Sequence, residues 1–326
     1  MTKTVMIAGA TGYLGRFLVA EYIQRGWKVH AIVRNKGKIV QDENDTLNNK
    51  KQANLKLIQA QVTDPESLKD VMRIPTSATT DDELEATATA GNNNGSVVDL
   101  VISSVGITRQ RDGLTYQQVD YQANMNLLQE AIQSKVPHFA YIHVLKGETM
   151  AHLPAIRAKQ DFVEELQLAS NNGSIQKHTV ICPCGFFSDM KDFLDMAKNG
   201  RAYLFGDGQH TINPIHGKDL AKATAVAIEQ GKNQVDIGGP DVFTQTQLAT
   251  LAFEALGPNK APQITCLWDR LRTLLISILP WITPVTIYGP AQFFLFAMGQ
   301  DMVGECHGEC HLQDYFAEVV REEQTK

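Results

Sequence analysis

Six short apolar runs recur along the first half of the chain: TVMIAG, KVHAIV, LKLIQA, VVDLVISSVG, HFAYIHVL and QKHTVICP. Between them apolar residues fall at helical spacing, in GRFLVAEYIQRG, SLKDVMR, YQQVDYQANMNLLQEAIQSK and IRAKQDFVEELQLA. A strand that is apolar on both faces must be covered on both faces, and helices set between such strands make the pairing parallel. The pattern therefore predicts the α/β class, a doubly wound parallel sheet of Rossmann type, over residues 1–185. Two stretches interrupt it, 35–54 and 74–96, both polar, rich in Asn, Thr and Asp, and without apolar period. They read as solvated insertions. After Pro183 the pattern turns to loop-rich segments such as FGDGQHTINPIHGKDL, so residues 186–326 are expected to form a smaller substrate lobe, with part of 220–240 returning to the sheet. Thr244 and Gln247 have the spacing of a helix capping box.

Composition narrows the function classes. With 326 residues, 43% hydrophobic and 20% charged, the chain can bury a full core without staples. A formal net charge of -6 excludes a partner bound through its phosphate backbone, so no nucleic acid is expected. Five cysteines at irregular spacing read as free thiols of a reducing compartment. The first apolar run begins almost at once, so the chain as given reads cytoplasmic, or chloroplast if a transit peptide has been removed.

MIAGATGYLGR places Gly9, Gly12 and Gly15 between a buried strand and a helix. Glycines there permit a tight turn and close backbone approach, leaving the first amides of the helix to receive a pyrophosphate. An NAD site sets an acidic residue about 20 residues further on, at the end of the second strand. AIVRNKGK has none, and Arg34 offers a guanidinium fork for a 2′-phosphate, so the expected cofactor is NADP(H). Asp64, before Pro65, reads as a helix N-cap rather than an adenine ligand. Ser103 and Ser104, ending the fourth strand, are placed to run beneath the cofactor.

The glycine motif, the serine pair, the lone lysine of the HLPAIRAKQDF stretch and the later runs ICPCGFFSD, YLFGDGQ, NPIHGKDLA, IGGP and LQDYFAEVVREE together resemble the atypical short-chain dehydrogenases/reductases. The likeness is greatest to the divinyl chlorophyllide 8-vinyl-reductase group, and it spans nearly the whole chain outside the two insertions. The resemblance implies that Gly9, Thr11, Gly12, Tyr13, Leu14 and Gly15 hold the pyrophosphate, Arg34 the 2′-phosphate and Lys159 the nicotinamide ribose. It sets Pro183 and Phe186 near the carboxamide, and Asp120 where an asparagine of the wider superfamily supports the lysine. Cys182, Cys184 and His216 depart from the group's pattern on the expected substrate side. The largest departure is Ala155, four residues before Lys159, where the superfamily carries its acidic tyrosine. A carbonyl reductase needs that acid, because charge builds on an oxygen. Hydride delivered to a conjugated carbon–carbon bond spreads the charge, so an NADPH-dependent reductase of a small apolar conjugated substrate is expected, with Lys159 and Asp120 as its catalytic pair. The alternative is a non-catalytic NADP-binding regulator or assembly factor.

Two further segments stand out. GECHGECHLQ sets Cys306, His307, Cys310 and His311 at paired spacing, but its glycines oppose a helix that would align them, so no metal is expected. Arg272 to Asp301 carries no charge between its ends, yet Pro280, Pro284, Gly289 and Pro290 divide it. Two short helices with an apolar face are expected, suited to covering a substrate, a dimer contact or peripheral contact with a membrane surface.

Overall fold

The computed structural model describes residues 2–36, 52–74, 96–107, 113–257 and 261–325; most of both expected insertions, 37–51 and 75–95, lies outside them. Eight parallel strands form the central sheet: β1 (Thr4–Ala8), β2 (Lys28–Val33), β3 (Leu55–Gln59), β4 (Leu100–Ser103), β5 (His138–Ile142), β6 (Lys177–Pro183), β7 (Gln234–Gly238) and β8 (Glu305–Cys306). Their spatial order is 3-2-1-4-5-6-7-8. The order reverses between β1 and β4, and the crevice at their carboxyl ends is where such sheets take ligands.

Alternate residues of each strand feed two cores. Val5, Ile7, Ile102 and Ile237 pack under α1 (Tyr13–Gln24), with Ile215 and a second helix joining from beyond β6. Met6, Val101, Phe139, Tyr141 and Val180 pack on the other face under α2 (Ala123–Ser134) and α3 (Pro154–Asn171). The helix joining α1 on the first face is separated from it in sequence. Between β6 and β7 the chain forms α4 (Lys191–Lys198) and then α5 (Gly217–Glu229), which packs beside α1. The apolar spacing of SLKDVMR did not produce a helix. Ser67 turns its hydroxyl back to the carbonyls of Gln61 and Asp64, and Asp70 takes a left-handed φ of 59°, leaving a single 3₁₀ turn at Glu66–Leu68. Asp64 accepts from the Glu66 amide at 3.1 Å, but the cap position expected for it falls to Pro65, which has no side-chain cap.

The lobe has its own core, built on α4, α6 (Gln245–Ala255), α7 (Asp269–Ile282), α8 (Val285–Ala297) and α9 (Leu312–Gln324) around Phe187, Leu194, Phe253 and Phe316. Thr244 and Gln247 complete the capping box at the start of α6. The two-residue strand β8 comes from this lobe and gives no apolar run of its own. Asn213 holds it in place. Fully buried, its side chain donates to the Gly304 carbonyl at 3.0 Å and the Gly239 carbonyl at 3.2 Å, and accepts from the Gly304 amide at 3.0 Å. A Cβ at Gly238 would fall on that side chain, so the close approach requires glycine.

Asn213→Ala removes the side-chain partner of backbone groups at Gly239 and Gly304, which flank β7 and β8. It is expected to lower unfolding free energy by on the order of 3 kcal/mol in a urea titration. A loss near zero would mean that water replaces the side chain and that the lobe is held by its apolar core.

Candidate functional site

The glycine turn opens the site. Gly9 has a φ of 81°, in the left-handed region, and its carbonyl accepts from the Gly12 amide at 2.9 Å. A Cβ at Gly15 would fall on the Gly9 carbonyl, and one at Gly9 would stand 2.7 Å from the Ser104 hydroxyl, so the turn is packed as closely as glycine allows. Gly12 is the N-cap of α1 without a side-chain cap, and the first turn of α1 carries no acidic residue. The amides of Tyr13, Leu14 and Gly15 have no acceptor within the helix, and together with the helix dipole they form a seat for an anion. The side chains of these residues do other work. Leu14 is buried, while the Tyr13 ring meets Phe17 and Phe186 at 5.5 Å each and its hydroxyl accepts from the Gly217 amide at 3.2 Å. Phe186 is thereby brought to the turn from the exit of β6, and Thr11 stands exposed at the turn's rim.

Arg34 is exposed directly after β2, two residues beyond Ile32, whose partner across the sheet is Ala8 of β1. It is thus level with the glycine turn. At the end of β4, Ser104 donates to the Ala8 carbonyl at 3.0 Å, which ties it beneath the turn. Ser103 faces inward, fully buried, and donates to Asn124 Oδ1 at 2.5 Å. Its side chain is occupied in joining β4 to the helix layer, and the same holds for Asn124, whose Nδ2 donates to the Asp120 carbonyl at 2.8 Å. Asn124 was missed in the sequence; its only signal is the four-residue interval from Asp120.

Asp120 lies in a π-helical turn, Gln117–Gln122, that leads into α2. It is fully buried and pairs with Lys159 Nζ at 2.6 Å, and it accepts from the Ile107 amide at 3.3 Å. Burial pushes the Asp120 carboxyl up, against the downward pull of Lys159 and the Ile107 amide. Burial also works against the Lys159 ammonium, but Asp120 and Tyr141 together outweigh it and hold the lysine charged well above its ordinary range. The ammonium lies 5.9 Å from the centre of the Tyr141 ring. A Cβ at Gly106 would fall on Lys159 Nζ, so the chain leaving β4 closes over the pair only as glycine. His143 lies beyond, its Nε2 3.1 Å from Gln160 Oε1, and burial together with the nearby ammonium pulls it down to about 4. It stays neutral and adds no second positive charge.

The cysteines are not on an open substrate face. Cys182 and Cys184 are 2% and 5% exposed: Cys182, on β6, joins the core beneath α2 and α3, and Cys184, just past the strand's end, packs with Leu145, Met150 and Met302. Cys184 Sγ donates to the Asn213 carbonyl at 2.6 Å, and burial pushes its thiol up to about 12. His216 caps α5, its Nδ1 accepting from the Lys218 amide at 3.3 Å, and its ring packs on Phe17. Pro183 ends β6, its carbonyl taken by the Leu145 amide at 2.9 Å. The residues of GECHGECHLQ disperse: His311 pairs with Asp241 at 2.7 Å, the Cys310 amide donates to Asp219 at 2.8 Å, and Cys306 lies against Asn213. Among the described residues no group of three metal-binding side chains comes together.

The model of the NmrA-like family matches residues 1–161. The chain is similar to the chloroplastic divinyl chlorophyllide a 8-vinyl-reductase of Arabidopsis thaliana, 28% identical over 348 residues, covering 98% of this chain and 77% of that protein. It is also similar to the photosystem II assembly factor Ycf39 of Guillardia theta, at 23% identity over 98% of this chain and 96% of the other. Among solved structures, AtPrR2 with NADP+ and (+)pinoresinol shares the fold with a TM-score of 0.64 at 17% identity, covering 98% of this chain and 99% of the other. The resemblance read from the motifs therefore holds along nearly the full length.

Lys159→Met leaves Asp120 buried without a partner and is expected to cost about 3–5 kcal/mol of stability near neutral pH. Asp120→Asn added to it should restore much of that loss. Without its lysine, Asp120 titrates above its unfolded value, so the folded state of the single variant binds the extra proton. Its deficit should therefore shrink as pH falls towards the unfolded carboxyl range. Denaturant unfolding of both variants across pH checks this; a deficit independent of pH would show that lost lysine packing, and not the stranded charge, carries the cost.

Proposed function

We propose that this chain, similar along nearly its whole length to 8-vinyl-reductases of divinyl chlorophyllide, is an NADPH-dependent reductase of a small apolar conjugated substrate. The most specific candidate is the 8-vinyl group of divinyl chlorophyllide itself. The observation that carries the reading is the Lys159–Asp120 pair, 2.6 Å apart with the carboxylate fully buried, at the same sheet edge as an uncapped glycine turn, with alanine at position 155. A reduced nicotinamide, when bound, supplies the hydride. The backbone amides at the start of α1 hold a pyrophosphate, Arg34 meets a 2′-phosphate, and Ser104 keeps the turn seated on β1. Lys159, fixed by Asp120, presents donors to ribose hydroxyls and orients the ring for transfer. Ala155 offers no acid on α3, which suits charge spread through a π-system better than charge fixed on a carbonyl oxygen.

A second reading is an NADP-binding regulator or assembly factor without turnover. Ala155 and the likeness to Ycf39 favour it. The relatives described as chloroplastic support a chloroplast location. No helix among the described residues is long and apolar enough to cross a membrane.

The uncharged segment supports a substrate cover that also meets a membrane surface. α7 and α8 meet at Thr283–Pro284, and Phe293 and Phe296 turn inward onto Leu153 and Ile156. Leu271, Leu274, Ile278 and Trp281 repeat at three- and four-residue intervals along the outer face of α7, with Trp268 and Trp281 85% and 87% exposed. Exposed tryptophans on an apolar face suit the boundary between headgroups and acyl chains.

Purified protein given NADPH and divinyl chlorophyllide should shift the pigment's blue absorption band as NADPH is oxidised; NADPH binding without turnover would move the reading to the regulator. Arg34→Ala should weaken NADPH binding by roughly 1.5–3 kcal/mol and leave NADH nearly unchanged. Equal losses for both cofactors would remove the 2′-phosphate role. In liposome flotation the intact chain should rise with the vesicles, and a folded Trp268→Ser, Trp281→Ser, Ile287→Ser variant should stay at the bottom; no flotation of either would end the membrane-surface reading.

A further inference from the structure

Residue 155 is alanine, yet the space in front of it is filled. Tyr116 stands at the head of the π-helical turn, 4% exposed, and packs on Ala155 and Ala158 with Ile107, Tyr121 and Val285 around it. Its ring thus lies over the turn of α3 that ends at Lys159, and its phenol is within electrostatic reach of Asp120 and Lys159. From the other side α8 closes on it: a Cβ at Gly289 would stand 2.8 Å from the Tyr116 oxygen and 3.0 Å from a ring carbon. Among the described residues, the titratable groups within electrostatic reach of the phenol include Asp120 from its own helix, Lys159 from α3 and Tyr288 from α8.

We propose that Tyr116 is the proton donor of this site, supplying from the α2 side the phenol that α3 lacks at position 155. The assignment rests on the reductase reading above. In the step it implies, the π bond of the substrate's carbon–carbon double bond breaks and two C–H bonds form. One takes the hydride, with its electron pair, from the reduced nicotinamide dinucleotide, which is oxidised. The other takes the Tyr116 hydroxyl proton. The O–H electron pair stays on the phenolate, beside the Lys159 ammonium, until water returns a proton. Burial and the Asp120 charge push the phenol up to about 12, with Lys159 pulling against them, so the donor is loaded at neutral pH.

Tyr116→Phe keeps the ring and its packing. The expected result is unchanged NADPH binding with turnover reduced about 10²-fold or more. Replacing Tyr116 by 3-fluorotyrosine gives a more acidic phenol of nearly the same shape, whose titration is read by ultraviolet absorbance in the cofactor-free protein. That titration should move to higher pH when Lys159→Met removes the neighbouring ammonium. The alkaline limb of turnover should move down with the fluorophenol. Undiminished turnover in Tyr116→Phe, a titration indifferent to Lys159, or an alkaline limb that stays in place would each overturn the donor assignment while leaving the reductase reading standing. Should Tyr116→Phe fail to fold, the fluorotyrosine protein decides alone. A wild-type protein that reduces nothing would overturn the reductase reading and this assignment together.

Discussion

A buried ion pair sets terms that its surroundings have to meet. Lys159 and Asp120 sit 2.6 Å apart, with the carboxylate fully enclosed, and two charges taken out of water are tolerable only if their geometry and remaining hydrogen bonds are satisfied. Four neighbouring features answer that demand. The Ile107 amide donates to the carboxylate, Gly106 carries no side chain that would separate the partners, the Tyr141 ring lies by the ammonium, and His143 is held neutral. The pair also joins the turn entering α2 to α3, so the helix layer on that face is fastened at the edge where a ligand would sit.

The same edge explains how the lobe is attached. Its strand β8 extends the sheet beyond β7, and Asn213 satisfies backbone groups on both sides of that junction. α8 then reaches across to Tyr116 and α3. The attachments of the lobe include a polar one at β8 and an apolar one beside the ion pair. The second is the one that encloses the proposed chemistry. The apolar character of Arg272 to Asp301 follows from these positions: one side of the helix pair packs on the lobe and on α3, and the other is left bare.

Much of the fold was legible in the chain. Strands buried on both faces write continuous apolar runs, and all six runs form strands of the sheet. The glycine turn was legible for a similar reason, since no other residue fits where a Cβ would strike a carbonyl. SLKDVMR misled, because its apolar spacing is helical while the local bonds of Ser67 and the left-handed Asp70 win over four or five residues. β8 and Asn213 were invisible, because a two-residue strand has no period and a single asparagine has no pattern.

The sequence by itself determined six strands of the sheet and the glycine turn, since these rest on local periodicity and on residue types that few backbones allow; the pairing of Lys159 with Asp120 was implied by the family resemblance. It determined as well that α3 lacks a phenol. Only the tertiary structure decided that the vacancy at Ala155 is filled, that Cys182 and Cys184 are sealed inside, and that Ser103 is spent on Asn124. Each of these depends on which side chain from a distant stretch arrives at a given point, and packing in three dimensions, not spacing along the chain, settles that.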